Sequence, residues 1–364
     1  MYYWICCFVL FFIAASASFN GFYDKWHLID VDGSGSLYGK NTFASIVDGS
    51  AQRPYVYRQL LPVLAGWIDR FVSNGSEQQL DDAKNKTSAT LDHRLFDTPI
   101  AQNKRYFSRY KILYGLVFLF AWASVYAMYG VARAVGSPPA AAAMAAVSMI
   151  LLVPYFLTVG GYFYDYPELA FFMFAVWAAL KLEWWWMVPL SALATWNKES
   201  FLLFVPTLYP LLRQHTSRIK ALGEIGILSI ASGAVCILTH LHYRNNPGGV
   251  VEFQLMRQIS SVPDAILKVH LDQTYGVSDP LTENLVSGAF LVWTLARGWR
   301  LVPGPVQRHA QIAAIINIPL FICFCMPYEL RDLSMLYVAL LLLLAANLTQ
   351  WLRSQFNFAE PKQG

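Results

Sequence analysis

Long apolar runs separated by short polar breaks dominate the chain. Runs of about 20 residues, enough for a helix to cross the ~30 Å hydrocarbon core, fall near 2–19, 110–132, 138–159, 163–182, 222–242 and 333–352. Shorter or interrupted runs fall near 184–196, 199–213, 283–297 and 309–326. The pattern predicts an all-α polytopic membrane protein of about ten transmembrane helices, one integral membrane domain spanning 1–364. The runs at 184–196 and 199–213 can instead form one broken or re-entrant pair, because irregular backbone is tolerated at depth where it lines a protein cavity. Ala15-Ser-Ala-Ser has the small residues of a signal cleavage site. The first run is nevertheless apolar almost from Met1 and lacks a basic leader, which predicts a retained helix.

Two polar segments interrupt this pattern. Residues 20–109 form a large first loop, within which Leu60, Leu61, Leu64, Trp67, Ile68 and Phe71 recur at helical spacing. That spacing predicts an amphipathic helix over 55–72 lying along the membrane interface, with Arg58 at its start and able to point toward the membrane surface. Ser73 to His93 is polar and reads as a mobile excursion. Residues 243–282 form a second loop. No internal repeat is visible, which weighs against transporters built from two matching halves.

Composition strengthens the membrane reading. The chain is 56% hydrophobic and 14% charged, where soluble domains carry about 25% charged residues. The net charge of +4 is small and the basic residues are scattered, which excludes a nucleic-acid surface. Cys6, Cys7, Cys236, Cys323 and Cys325 all lie inside apolar runs. They read as small core residues, with neither a disulfide framework nor a metal site. With the amino terminus in the cytoplasm, the short inner loops collect Arg133, Lys181, Arg213, Arg218, Lys220, Arg297, Arg300, Arg308, Arg353 and Lys362, as the positive-inside rule demands. Residues 20–109, 160–166, 197–199, 243–282 and 327–332 then face outward.

Every charged cluster at a break between apolar runs falls on that outer side. Charges at membrane boundaries are costly, so their convergence on one face marks a candidate site. Asp30 and Asp32 follow the first run in the Gly-rich stretch Asp30-Val-Asp-Gly-Ser-Gly-Ser36. A carboxylate there can act as a general base or simply belong to a turn; a calcium loop fails for want of the closing glutamate. Arg58 sits in Arg53-Pro-Tyr-Val-Tyr-Arg-Gln-Leu-Leu-Pro62, and its planar guanidinium suits phosphate oxygens. Asp165 lies in a very short loop among Tyr162, Tyr164 and Tyr166, tyrosines that read as interfacial belt anchors. The aspartate can bind sugar hydroxyls, orient Lys198 or serve as a second candidate base. Asn197-Lys-Glu-Ser200 and Glu329-Leu-Arg-Asp332 mark two further breaks. Lys198 is either an anion site at a helix start or half of a Lys-Glu pair solvating a tight turn, and Arg331 is either a phosphate ligand or a paired surface charge. No H-E-x-x-H, G-x-S-x-G, Walker A or dinucleotide fingerprint is present. Asn74-Gly-Ser and Asn85-Lys-Thr fit the glycosylation acceptor pattern.

These elements together resemble the GT-C class of polytopic glycosyltransferases, especially bacterial ones. The carriers of the likeness are Arg53 to Pro62, an outer-loop acid met by Asp30 or Asp32, the Asn197–Ser200 break, and the Glu329/Arg331 turn before the last span. The resemblance implies transfer of a sugar from a polyprenyl-phosphate carrier to an acceptor glycan or lipid on the outer face of a membrane, a bacterial inner membrane ahead of the endoplasmic reticulum. It implies a base at Asp30 or Asp32, with Asp24 and Asp48 as lesser candidates, and inversion at the anomeric carbon. Tyr57, Arg58, Asp165, Lys198, Glu199, Glu329 and Arg331 become the substrate-binding candidates, the cations neutralising charge on the leaving phosphate. Relatives in the class differ in use of a divalent metal, and no motif here indicates one, so the cofactor stays open. The competing readings are a non-catalytic assembly protein of a polysaccharide or glycolipid pathway and a transporter or flippase of lipid-linked substrate.

Overall fold

A computed structural model describes residues 2–23, 25–26, 43–72, 104–158, 160–249, 252–267, 270–280 and 282–356. Its elements begin with α1 (Tyr2–Tyr23), the short α2 (Phe43–Val47) and α3 (Leu60–Val72), followed by α4 (Lys104–Ala134), α5 (Pro139–Phe156), α6 (Asp165–Lys181) and α7 (Trp184–Asn197). A helical segment α8 (Ser200–Leu212) leads to α9 (Arg218–His242) and α10 (Leu255–Leu267). The strands β1 (Leu271–Thr274) and β2 (Val277–Pro280) precede α11 (Leu285–Gly298), α12 (Gly304–Phe324) and α13 (Tyr337–Phe356). A 3-10 stretch, Leu330–Leu336, runs directly into α13.

All ten apolar runs form helix, and five stretches are long and apolar enough to cross a membrane: Tyr3–Tyr23, Tyr106–Ala134, Pro139–Phe156, Arg218–His242 and Leu330–Gln355. They make the chain a multi-pass integral membrane protein. α6, α7 and α11 have 17, 14 and 14 residues, so they reach at most about 26 Å at 1.5 Å per residue, short of the ~30 Å core. α8 is interrupted by a 3-10 turn, Val205–Leu208, where Pro206 cannot donate a backbone hydrogen bond.

The fold is all-α, with one local addition and one local correction. β1 and β2 pair as an antiparallel hairpin within the second loop. Its turn at Tyr275-Gly276, both with positive φ, is anchored to the bundle by the Tyr275 hydroxyl, which donates to the Leu151 carbonyl at 2.7 Å. The helix expected over 55–72 begins only at Leu60. Tyr55–Tyr57 forms a separate 3-10 turn, and Arg58 between the two is non-helical at φ −89°, ψ 66°.

α4 is the central helix, packed most extensively on α6 and also on α1, α3 and α5. Close approach to α6 depends on Gly130, where an added Cβ would lie 2.6 Å from the Trp177 ring. Such small-residue contacts let helices approach without a hydrophobic drive from water. The breaks at 157–164, 198–199, 243–254 and 325–329 gather at one end of the bundle. There Lys25 pairs with Asp272 at 2.6 Å, Asn246 donates to Gly49 and Ala51, Arg53 donates to Gly248, and Thr158 donates to the Tyr328 carbonyl.

Candidate functional site

Four interruptions of the helical pattern converge at that end. The first is the non-helical Arg58 between the Tyr55–Tyr57 turn and α3. The second is the bend through Tyr162 and Tyr164 into α6, whose first turn holds Asp165 and Glu168. The third is the α7–α8 break, where Lys198 is extended at φ −156°, ψ 128°. The fourth is the turn at Glu329, non-helical at φ −85°, ψ 55°, entering the Leu330–Leu336 3-10 stretch. Asn197 fastens the third to the second by donating to the Tyr164 carbonyl at 2.9 Å. Asn317 of α12 fastens the fourth by donating to the Asp332 carbonyl at 2.8 Å.

Their side chains form one buried ionic network. Lys198 lies 2.9 Å from Glu168 Oε2 and 3.0 Å from Asp332 Oδ1, and Ser200 donates to the other Glu168 oxygen at 2.7 Å. Arg331 binds Glu329 and lies 3.4 Å from Asp165 Oδ1. The second Asp165 oxygen accepts the Tyr162 N–H at 2.8 Å, and the second Glu329 oxygen accepts the Met326 N–H at 3.0 Å. Arg58 is more loosely held: its Nη2 is 3.7 Å from Glu199 Oε1, and its buried Nε has no partner. Five carboxylates thus surround three cations, with Arg58, Lys198 and Arg331 all less than a tenth exposed.

Tyr164 stands at the centre, fully buried. Its hydroxyl accepts from Arg58 Nη1 and, at 3.4 Å, from Arg331 Nη1. The Arg58 guanidinium lies 4.2 Å from the Tyr164 ring centroid, and Arg331 lies 4.4 Å from that of Tyr162. The two rings stack at 5.2 Å with an 11° interplanar angle. Guanidinium over an aromatic face is a favourable place for a desolvated cation. Burial pulls the Arg58 guanidinium down, and Tyr164 and Glu199 more than offset it, leaving it above its ordinary value. Burial likewise raises the Tyr164 phenol, against the pull of Arg58 and Arg331. Arg58 is therefore a permanent cation and Tyr164 a neutral hydroxyl.

Arg58, Asp165, Lys198, Glu199, Glu329 and Arg331 are brought together by the fold. Arg58 does not point toward the membrane surface as its expected place at a helix start implied; leaving the helix turns it into the bundle. Tyr57 stands aside, its ring 4.2 Å from that of His240. Asp30, Asp32 and Asp24 lie outside the described residues, as do Ser73 to His93 and both glycosylation patterns. Asp48 accepts the Tyr106 hydroxyl rather than joining the network. Glu168, Asp332, Tyr162 and Tyr164 were not singled out from sequence. Glu168 had a signal, since Asp165 and Glu168 are three apart on a helix and share a face. Tyr162 and Tyr164 are two residues apart, and the turn into α6 brings their rings together.

Among the described residues one group has metal-ligand spacing: atoms of Cys325, Glu329 and Asp332 lie within 4.8 Å of one another. Its two carboxylates already hold Arg331 and Lys198, so an entering cation would have to displace both. Compared with protein-family models, with curated proteins and with solved structures, the chain matches none.

Proposed function

We propose that the chain is a membrane glycosyltransferase that moves a sugar from a polyprenyl-phosphate donor to an acceptor glycan or lipid on the extracytoplasmic face, with inversion. The observation that carries this reading is the convergence of Arg58, Lys198 and Arg331, from three separate breaks, on Tyr164 in a fourth. Three permanent cations at the end of an apolar bundle suit a phosphate whose tail lies in lipid and whose charge grows as the sugar leaves. Arg58 and Arg331 each have an unpartnered Nε, and Arg58 has the most capacity to spare because its only carboxylate contact is the 3.7 Å pair with Glu199. A cavity of about 650 Å³ between α1, α5, α11 and α13, walled by Leu151, Leu152, Phe290, Trp293 and Leu348, suits a hydrocarbon chain.

In this reading α6, α7, α8, α11 and α12 complete about ten spans, the amino terminus is cytoplasmic, and α3 lies along the interface. Trp67, Ile68 and Phe71 on its exposed face support that placement. The membrane is a bacterial inner one. The second reading, a non-catalytic assembly protein, draws on the pairing of Lys198 and Arg331 with two carboxylates each, which also suits a purely structural network.

The deciding experiment is release of polyprenyl phosphate from a panel of polyprenyl-phosphate sugars by purified protein, with Arg58→Ala alongside wild type. Turnover by wild type that falls at least about 100-fold in the variant, the scale of losing one transition-state charge contact, is expected. A folded wild type that turns over no donor, or an Arg58→Ala variant equal to it, favours the assembly protein.

A further inference from the structure

A transfer of this kind needs a carboxylate oxygen free to take the acceptor's proton, and the five carboxylates of the site are not equivalent. Asp165 is held by the Tyr162 N–H and Arg331. Glu168 is held on one oxygen by Lys198 and on the other by Ser200. Glu329 is held by Arg331 and the Met326 N–H, and Asp332 by Lys198. Glu199 differs from all four. Its Oε1 makes only the 3.7 Å contact with Arg58, and its Oε2, itself buried, has no hydrogen-bond partner among the described residues. Its side chain is also the most open of those in the network's ion pairs, at 33% exposure against 22% for Asp332. Carboxylate torsions are broad and roughly two-fold, so rotation presents either oxygen without disturbing the backbone.

The surroundings of Glu199 have the character of an acceptor site. Cys236 of α9 is within electrostatic range of it. One turn further along α9, His240 forms a ring pair with Tyr57 at 4.2 Å and 33°, and Tyr57 is covalently next to Arg58, the partner of Glu199. His240 is exposed and Tyr57 half-buried. An aromatic pair whose Tyr57 adjoins, in the chain, the guanidinium that contacts Glu199 offers a flat face to the C–H side of a sugar ring, with polar groups nearby for its hydroxyls.

We propose that Glu199 is the general base of the transfer and that the acceptor is a hydroxylated sugar ring that enters over the Tyr57–His240 pair. The proposal rests on the glycosyltransferase reading. Glu199 takes the proton of the acceptor O–H as the oxygen's electron pair forms the new bond to the anomeric carbon. The bond from that carbon to the phosphate oxygen breaks, and its electron pair leaves on polyprenyl phosphate beside Arg58. The proton then passes from Glu199 to solvent. A positioned general base contributes about 10²- to 10⁴-fold to rate.

The test uses full-length protein in lipid nanodiscs with a polyprenyl-phosphate sugar that wild type turns over and a monosaccharide glycoside as acceptor. Glu199→Gln, nearly isosteric, is expected to lose about 10²- to 10⁴-fold in kcat with donor KM unchanged. Its kcat–pH profile loses the acid limb, a change that mere structural damage does not produce, and Glu199→Asp recovers part of the rate. Asp30→Asn and Asp32→Asn keep that acid limb. Tyr57→Ala raises acceptor KM and leaves donor KM alone. Glu199→Gln with wild-type kcat, or loss of the acid limb in an aspartate variant instead, overturns the assignment while the glycosyltransferase reading stands. Wild type inert toward every donor overturns both.

Discussion

Lys198 and Arg331 are each held by two carboxylates and are themselves less than a tenth exposed. Charges so placed are stable only as a set: removing one partner from a buried pair costs about 3–5 kcal/mol, because the survivor is left uncompensated. A different balance governs Glu283, which precedes α11. Burial raises its carboxyl to about 7, while hydrogen bonds from the backbone and Thr158 pull the other way. Its hydroxyl contact, Thr158 Oγ1 at 3.3 Å, is long, and its Oε2 has no partner among the described residues. The folded state therefore keeps a proton that the unfolded chain releases near pH 4.5. Between about 4.5 and 7 the native state binds more protons than the unfolded one, so stability from this group falls as pH rises through that window. Thermal melts in detergent are expected to drop across it for wild type and to flatten in Glu283→Gln, which stays neutral. An unchanged slope in the variant would show that other groups set the pH dependence. Residues such as Arg58 and Lys198 were legible in the sequence because charge stands out against apolar runs. Tyr164, equally central, was not, because a tyrosine at a membrane boundary has a common anchoring role and only tertiary geometry puts two guanidiniums on its hydroxyl.

At the level of elements, the breaks were easier to read than the lengths. Asn197-Lys-Glu-Ser200 stops α7 and starts α8 as the charges imply, and Pro206 and Pro210 loosen α8. The start of α3 was misjudged by five residues because the apolar spacing that marks a helix face begins at Leu60, while Tyr55–Tyr57 adopts its own 3-10 turn. The β1–β2 hairpin was missed because its strands, Leu271–Thr274 and Val277–Pro280, are four residues each and mostly polar. Packing between helices was not legible either. Nothing in the run around Gly130 announces that Trp177 of α6 rests on it, with ring atoms 2.6 to 2.9 Å from where a Cβ would sit. Gly130→Val is expected to lower stability by about 1–3 kcal/mol through overpacking, measured as a lower melting temperature. Gly115, on the same helix with nothing within 4 Å of an added Cβ, is the control. Equal melts for the two substitutions would mean that α4 and α6 separate without cost.

For the molecule as a whole, what matters is that the four breaks carrying Arg58, Asp165, Lys198 and Arg331 lie at one end, and that this end is tied together by contacts between distant segments. Lys25 with Asp272, Gly49 with Asn246, Arg53 with Gly248 and Thr158 with Tyr328 join parts of the chain that only a common side of the membrane can bring together. The opposite end carries Arg133, Arg213, Arg218 and Lys220, a positive-inside bias from which an outward-facing ionic site is the expectation. Single cysteines at two exposed positions, Ser50 at the site end and Gln214 in the α8–α9 turn, test this orientation, with the five native cysteines replaced. A membrane-impermeant maleimide added to intact cells is expected to label Ser50→Cys at once and Gln214→Cys only after permeabilisation. The reverse result would put Arg58, Lys198 and Arg331 in the cytoplasm. There they would meet soluble nucleotide sugars and phosphates, and the outward-facing lipid-linked donor would no longer follow from where the charges stand.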